Sequence, residues 1–236
     1  MPWDNVLVTA VVLGLFGLVL LIVLWPGERQ GRRLLKKWGV EDPGERDVAE
    51  TVRYLRRRRF WYPLLFFVLP LAIGRGGGSL WVIAWTLLPG GLLGELLALR
   101  PSRERRREAS LVTRRVVDLV PAWALVLLAI STAGQTVHAV VTLDWLVLGV
   151  TIAAALAAGV IIALALRRPA VGDVKVDLVL RVRSARVATG LAIIAPATLP
   201  SRDMGMSAGL ALVLVASLVA AIAIASPSPR VAETAR

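Results

Sequence analysis

Cysteine is absent from the 236 residues, and histidine occurs once, as His138. Disulfides, thiolate metal sites and cysteine nucleophiles are therefore excluded, and a single imidazole rules out a multi-histidine metal centre. Also missing are a Gly-x-Ser-x-Gly elbow, a His-Glu-x-x-His helix, a Walker loop and a Gly-x-Gly-x-x-Gly fingerprint. The run Gly74-Arg75-Gly76-Gly77-Gly78-Ser79 has no following lysine and reads as a flexible loop. No cofactor or metal is expected, and with no nucleophile–base pair in view the chain is expected not to be an enzyme. The opening Met1-Pro2-Trp3-Asp4-Asn5 lacks the basic n-region of a secretory signal, and the apolar run after it is too long for an h-region. That run is expected to be retained as a first membrane span.

Acidic residues are few: 16 Asp and Glu face 28 Lys and Arg, for a net charge of +12. Such basicity suggests a polyanion partner, because basic chains release the counterions of nucleic acids. Its placement argues against nucleic acid. Hydrophobic residues make up 57% of the chain, against roughly 45–50% in an average soluble domain, and the charges fall in short segments between apolar runs. Residues 6–25 form an uncharged run ending at Trp25-Pro26-Gly27; at about 1.5 Å per residue they reach roughly 30 Å, the thickness of a bilayer's hydrocarbon core. Further runs occupy about residues 60–74, 79–99, 116–134, 145–166, 187–200 and 205–225. The expected fold is all-α: a polytopic transmembrane helical bundle of about seven spans over residues 1–225, followed by a flexible tail at 226–236.

Eleven Lys and Arg lie in residues 26–59, seven in 100–115, six in 167–186 and two in the tail, while the alternate connections hold only Arg75 and Arg202. By the positive-inside rule this sets an odd number of spans, the N-terminus outside and the C-terminus cytoplasmic, in the plasma membrane of a bacterium. Anionic inner-leaflet lipid is the expected partner of the basic segments. The short second and sixth runs follow arginine-rich sequence, so their helices can extend into the headgroups while Arg58, Arg59, Arg183 and Arg186 snorkel outward. Trp3, Trp25, Trp61, Trp81 and Trp145 sit near span ends, where an indole buries its ring and keeps its N–H wet. In the first cytoplasmic segment, Glu41-Asp42-Pro43-Gly44 reads as a turn and Asp47 to Arg59 as a helix entering span two.

Arg56-Arg57 is followed six residues later by Pro63, Arg114-Arg115 six residues later by Pro121, and Arg183 has Gly190 at the corresponding place. Spans two to seven therefore read either as three repeated hairpins with span one added, or as hairpins that share only the positive-inside pattern. Three two-helix units invite comparison with mitochondrial carriers, whose Pro-x-Asp/Glu-x-x-Lys/Arg signature this sequence lacks.

Ionisable groups inside a membrane cost about 2.5–3.5 kcal/mol at the centre, so each is a candidate site. Glu95 and Asp118 qualify, each one helical turn from arginine: Glu95 before Arg100, Asp118 after Arg114 and Arg115. Pairing with those arginines is the expectation, and a proton-coupled role is the alternative. Pro89-Gly90-Gly91 lies mid-span, where Pro89 removes the N–H that would bond the Trp85 carbonyl. Broken helices of this kind hold substrates and ions in transporters; small residues such as Gly90 and Gly94, Ala155 and Gly159, or Gly205 and Gly209 equally serve close helix packing. Pro89, Gly90, Gly91, Glu95 and Asp118 together make the candidate transport or packing site. His138 and Asp144 are placed in the external loop between spans four and five.

The arginines Arg56 to Arg59 before Pro63, the Arg103 to Arg115 segment leading into Val120-Pro121-Ala122-Trp123, and the Asp177 to Gly190 stretch resemble uncharacterised multispan integral membrane proteins of high-GC actinobacteria. The resemblance implies the membrane class and no particular activity, substrate or residue role. The function expected is a non-enzymatic accessory or permease-like membrane component, with a membrane protein partner or a homo-oligomer. The alternative is a small secondary transporter with its site near the Pro89 break.

Overall fold

The computed structural model describes residues 3–23, 25–73, 88, 90–96, 115–167, 173–197 and 208–227, nearly all helical and without a strand among them. In chain order these are α1 (Trp3–Val23), α2 (Glu28–Lys37), α3 (Glu45–Phe60), α4 (Tyr62–Ile73), α5 (helical residues 90–96), α6 (Val116–Leu119), α7 (Ala122–Val141), α8 (Trp145–Arg167), α9 (Val174–Ala197) and α10 (Ala208–Ala225). Pro89, Arg75, Trp81, Arg100, Arg114, Arg202, Gly205 and the tail from 228 lie outside the described residues, as do most of the span expected at 79–99 and most of the 100–115 segment.

Among the described residues three helices are long and apolar enough to cross a membrane: α1 over Val6–Val23, α7 and α8. The Leu212–Ala225 stretch of α10 is apolar but shorter. Val8, Leu15 and Ile22 of α1, Ile130 and Val137 of α7, Leu156 of α8, and Leu212 and Ile222 of α10 are all more than half exposed. Soluble monomers seldom present continuous apolar surface beyond roughly 300–600 Å², so these helix faces suit hydrocarbon rather than water.

Proline decides where basic and apolar helices separate. Pro63 lacks the N–H that would bond the Arg59 carbonyl, and the helix breaks at Trp61 between α3 and α4. Pro121 does the same between the single turn α6 and α7, with Val120 extended. At the third matching place Gly190 keeps its N–H, and α9 runs unbroken from its basic half into its apolar half.

Two expected boundaries move as a result. The span expected at 116–134 breaks after Leu119 and its main helix continues to Val141. His138 consequently sits in the last turn of α7 rather than in the loop. The loop shrinks to residues 142–144, where Asp144 Oδ1 accepts the N–H groups of Leu146 and Val147 at 3.2 Å and caps α8.

Packing joins two groups of helices. α1 lies along α4, and a Cβ added at Gly17 would come within 3.0 Å of the Pro63 Cα. α9 contacts α7, α8, α10, α6 and α3; Gly190 lets α10 close in, since a Cβ there would meet Ala221 at 3.1 Å. α2 and α3 form a helical hairpin whose buried Leu35, Trp38, Val48, Val52 and Leu55 share one apolar cluster with Leu119, Val120, Val176, Val179 and Val182. Gly39, at φ 90°, ends α2 in a left-handed cap, with Val40 N–H donating to the Leu35 carbonyl at 3.0 Å.

Candidate functional site

α5 comes to rest on α3 because Gly94 has no side chain: a Cβ there would stand 3.0 Å from the Arg58 carbonyl oxygen. Gly91, one turn earlier, leaves room for Leu191 of α9, whose Cδ1 would meet an added Cβ at 2.7 Å. This close approach carries Glu95 into the space between α3 and α9, where it is fully buried. α3 contributes Tyr54 and Arg58, one turn apart on its inward face, and α9 contributes Arg183 and Ser184.

The Tyr54 hydroxyl donates to Glu95 Oε2 at 2.5 Å, and the Ser184 hydroxyl donates to the same oxygen at 2.6 Å. Each hydroxyl has one proton, so with both committed to Oε2 the 2.7 Å approach between Tyr54 and Ser184 is a close contact, not a third hydrogen bond. Arg58 Nε lies 2.8 Å from Glu95 Oε1 but off the N–H direction, which makes the pair Coulombic more than hydrogen-bonded. Arg183 donates to the Tyr54 oxygen at 3.0 Å and lays its guanidinium 5.6 Å from the ring centroid. A buried charge is tolerable only when paired and hydrogen-bonded, and here both carboxylate oxygens are engaged.

Burial, and after it the neighbouring Glu95 carboxylate, pushes the Tyr54 phenol up to about 12, against the opposing pull of Arg183 and Arg58. A folded-state value above the free phenol's 10.0 means that protonated Tyr54 stabilises the fold fully below pH 10. That contribution is lost as pH rises from 10 towards 12. Tyrosine occurs only twice, so in a Tyr62→Phe background the tyrosinate absorbance is expected to develop near pH 12. Development near pH 10 would mean that the phenol is open to water.

Two further polar knots lie on α9. Arg181 NH2 is 2.5 Å from Asp177 Oδ2, both side chains 3% exposed, and Arg181 NH1 donates to the Ala165 carbonyl at 3.0 Å in the last turn of α8. Arg186 donates to the carbonyls of Leu119 at 3.3 Å and Ser226 at 3.4 Å and covers Trp38 at 5.6 Å. These arginines satisfy carbonyls that the ends of α6, α8 and α10 leave without intrahelical donors.

The structure redistributes the expected site. Gly90 and Gly91 are buried in α5. Glu95 pairs with Arg58, 37 positions earlier in the sequence, whereas its expected partner Arg100 lies outside the described residues. Asp118 is not ion-paired with Arg115 as expected: its Oδ2 accepts the Arg115 backbone N–H at 2.7 Å and caps α6. Arg58, Arg183 and Arg186 turn inward to these partners instead of snorkelling. Nothing local in the sequence marks Tyr54 or Ser184 as partners of Glu95, whereas the i,i+4 spacing of Asp177 and Arg181 is a legible signal of pairing. Among the described residues no three His, Asp or Glu side chains gather as a metal site. No family model matches the chain, nor does any curated protein or solved structure.

Proposed function

We propose that this is a multi-pass bacterial plasma-membrane protein with about seven crossings, N-terminus outside and C-terminus cytoplasmic, acting as a non-enzymatic accessory or permease-like component. One observation carries the reading: the described basic segments meet at a single end of the helices, knotted through Arg58–Glu95, Arg181–Ala165, and Arg186 with Leu119 and Ser226. The 142–144 turn, free of Lys and Arg, lies at the opposite end of α7 and α8. A positive-inside protein has this asymmetry.

The absence of cysteine gives a clean background for labelling. Thr142→Cys is expected to react with an impermeant maleimide on intact cells, and Asp42→Cys only after permeabilisation. The reverse pattern would overturn the orientation. The accessory role predicts stoichiometric recovery of a membrane partner, or of a second copy, after extraction in mild detergent. A strictly monomeric, partnerless protein would count against it.

A second reading, a small proton-coupled transporter, is favoured by one feature: a buried carboxylate hydrogen-bonded to two hydroxyls, beside the glycines that follow Pro89. It predicts that Glu95→Gln abolishes uptake in reconstituted vesicles while the protein stays folded.

A further inference from the structure

Between α1 and α4 runs an apolar groove of about 560 Å³, lined by Val11, Gly14, Leu18 and Leu21 on one wall and by Phe60 and Phe67 on the other. Gly14 lines it, and Gly14 and Gly17 let the two helices close in, since added Cβ atoms would meet Phe67 at 3.3 Å and Pro63 at 3.0 Å. Along α1 the lining runs from Val11 to Leu21, roughly 15 Å at about 1.5 Å per residue, which is half of a hydrocarbon core of about 30 Å. The groove is thus one leaflet deep.

Its end near Leu21 and Phe60 is marked by charge. One turn beyond Phe60 on α3 stands Arg56, which lays its guanidinium 5.5 Å from the ring centroid of Trp25, four residues past Leu21. Arg56 Nε donates to the Pro26 carbonyl at 3.2 Å, fixing the side chain at the end of α1. A guanidinium carries five N–H donors, and among the described residues the exposed Arg56 spends one of them on the protein. A planar donor fork held on an indole face at headgroup level suits a phosphate diester.

We propose that this groove is a binding site for an anionic phospholipid of the inner leaflet, with one acyl chain along α1 and α4 and its phosphate on Arg56. The inference rests on the cytoplasmic placement of Arg56 proposed above, and cysteine labelling tests that placement separately. The full chain, delipidated in detergent, would be titrated with phosphatidylglycerol or phosphatidylcholine and followed by native mass spectrometry and thermal unfolding. Retention of phosphatidylglycerol over phosphatidylcholine is expected. Arg56→Gln should weaken it roughly fivefold, the order for one basic residue at a headgroup, and Leu18→Trp should fill the groove and abolish it. Arg33→Gln, which removes the same charge from the exposed face of α2, should change it less than twofold.

Equal retention of both lipids, an equal loss in Arg33→Gln, or a dimer that Leu18→Trp dissociates would each overturn the proposal, the last in favour of a second copy. Failure of lipid selectivity with the labelling pattern intact would remove this site and leave the topology standing. A reversed labelling pattern would remove both.

Discussion

Glu95→Gln is expected to lower the unfolding temperature in detergent by roughly 6–12 °C, corresponding to a loss of about 3 kcal/mol. The substitution keeps the shape of the side chain and removes its charge. Arg58 then faces a neutral amide at 2.8 Å, and the amide must turn either its oxygen or its NH2 towards the hydroxyls of Tyr54 and Ser184. Breaking a buried ion pair from one side costs about 3–5 kcal/mol. The low end applies because the Arg58 side chain keeps 18% exposure and recovers some hydration. Glu95→Asp should fall between, with the charge retained but withdrawn by one methylene. A shift below about 2 °C for Glu95→Gln would mean that the carboxylate contributes little to holding α3, α5 and α9 together. Coupled with full loss of uptake, that result would favour the transporter reading over the accessory one.

Arg181→Met is expected to be at least as damaging, by about 3–5 kcal/mol, because it strips the guanidinium from an Asp177 carboxylate that is 3% exposed. The Ala165 carbonyl loses its donor as well, at roughly 1 kcal/mol. The double variant Asp177→Leu with Arg181→Met should recover most of the loss, since two apolar side chains of similar volume need no desolvation compensation. Unfolding of both singles and the double forms a cycle, and a favourable coupling of at least about 2 kcal/mol is the expected result. Simple additivity would show that the two charges do not depend on each other.

The helices were legible in the sequence because their signal is local. The uncharged run at 6–25 and the long apolar run at 145–166 reappear as α1 and α8 within a few residues. The turn ahead of α3 was equally readable, since Gly44 donates its N–H to Asp47 Oδ2 at 3.0 Å in the expected first turn. The division of α6 from α7 within the run at 116–134 was not legible, because apolar character alone does not register the missing N–H of Pro121. The site was half legible. Glu95 stood out as an ionisable residue in an apolar run, but its partners Tyr54 and Ser184 lie 41 and 89 residues away, and no local pattern links them.

By itself, then, the order of residues determined an all-helical chain with apolar runs and basic connections, because burial of hydrocarbon and the solvation cost of charge act on each segment separately. Only the tertiary structure decided that Arg58 of α3 and Arg181 and Arg186 of α9 turn inward to carboxylates and to the open carbonyls of helix ends. The physical reason is that a guanidinium released from water is stable only beside acceptors brought to it from distant segments, and glycines at 91, 94 and 190 set how closely those segments approach.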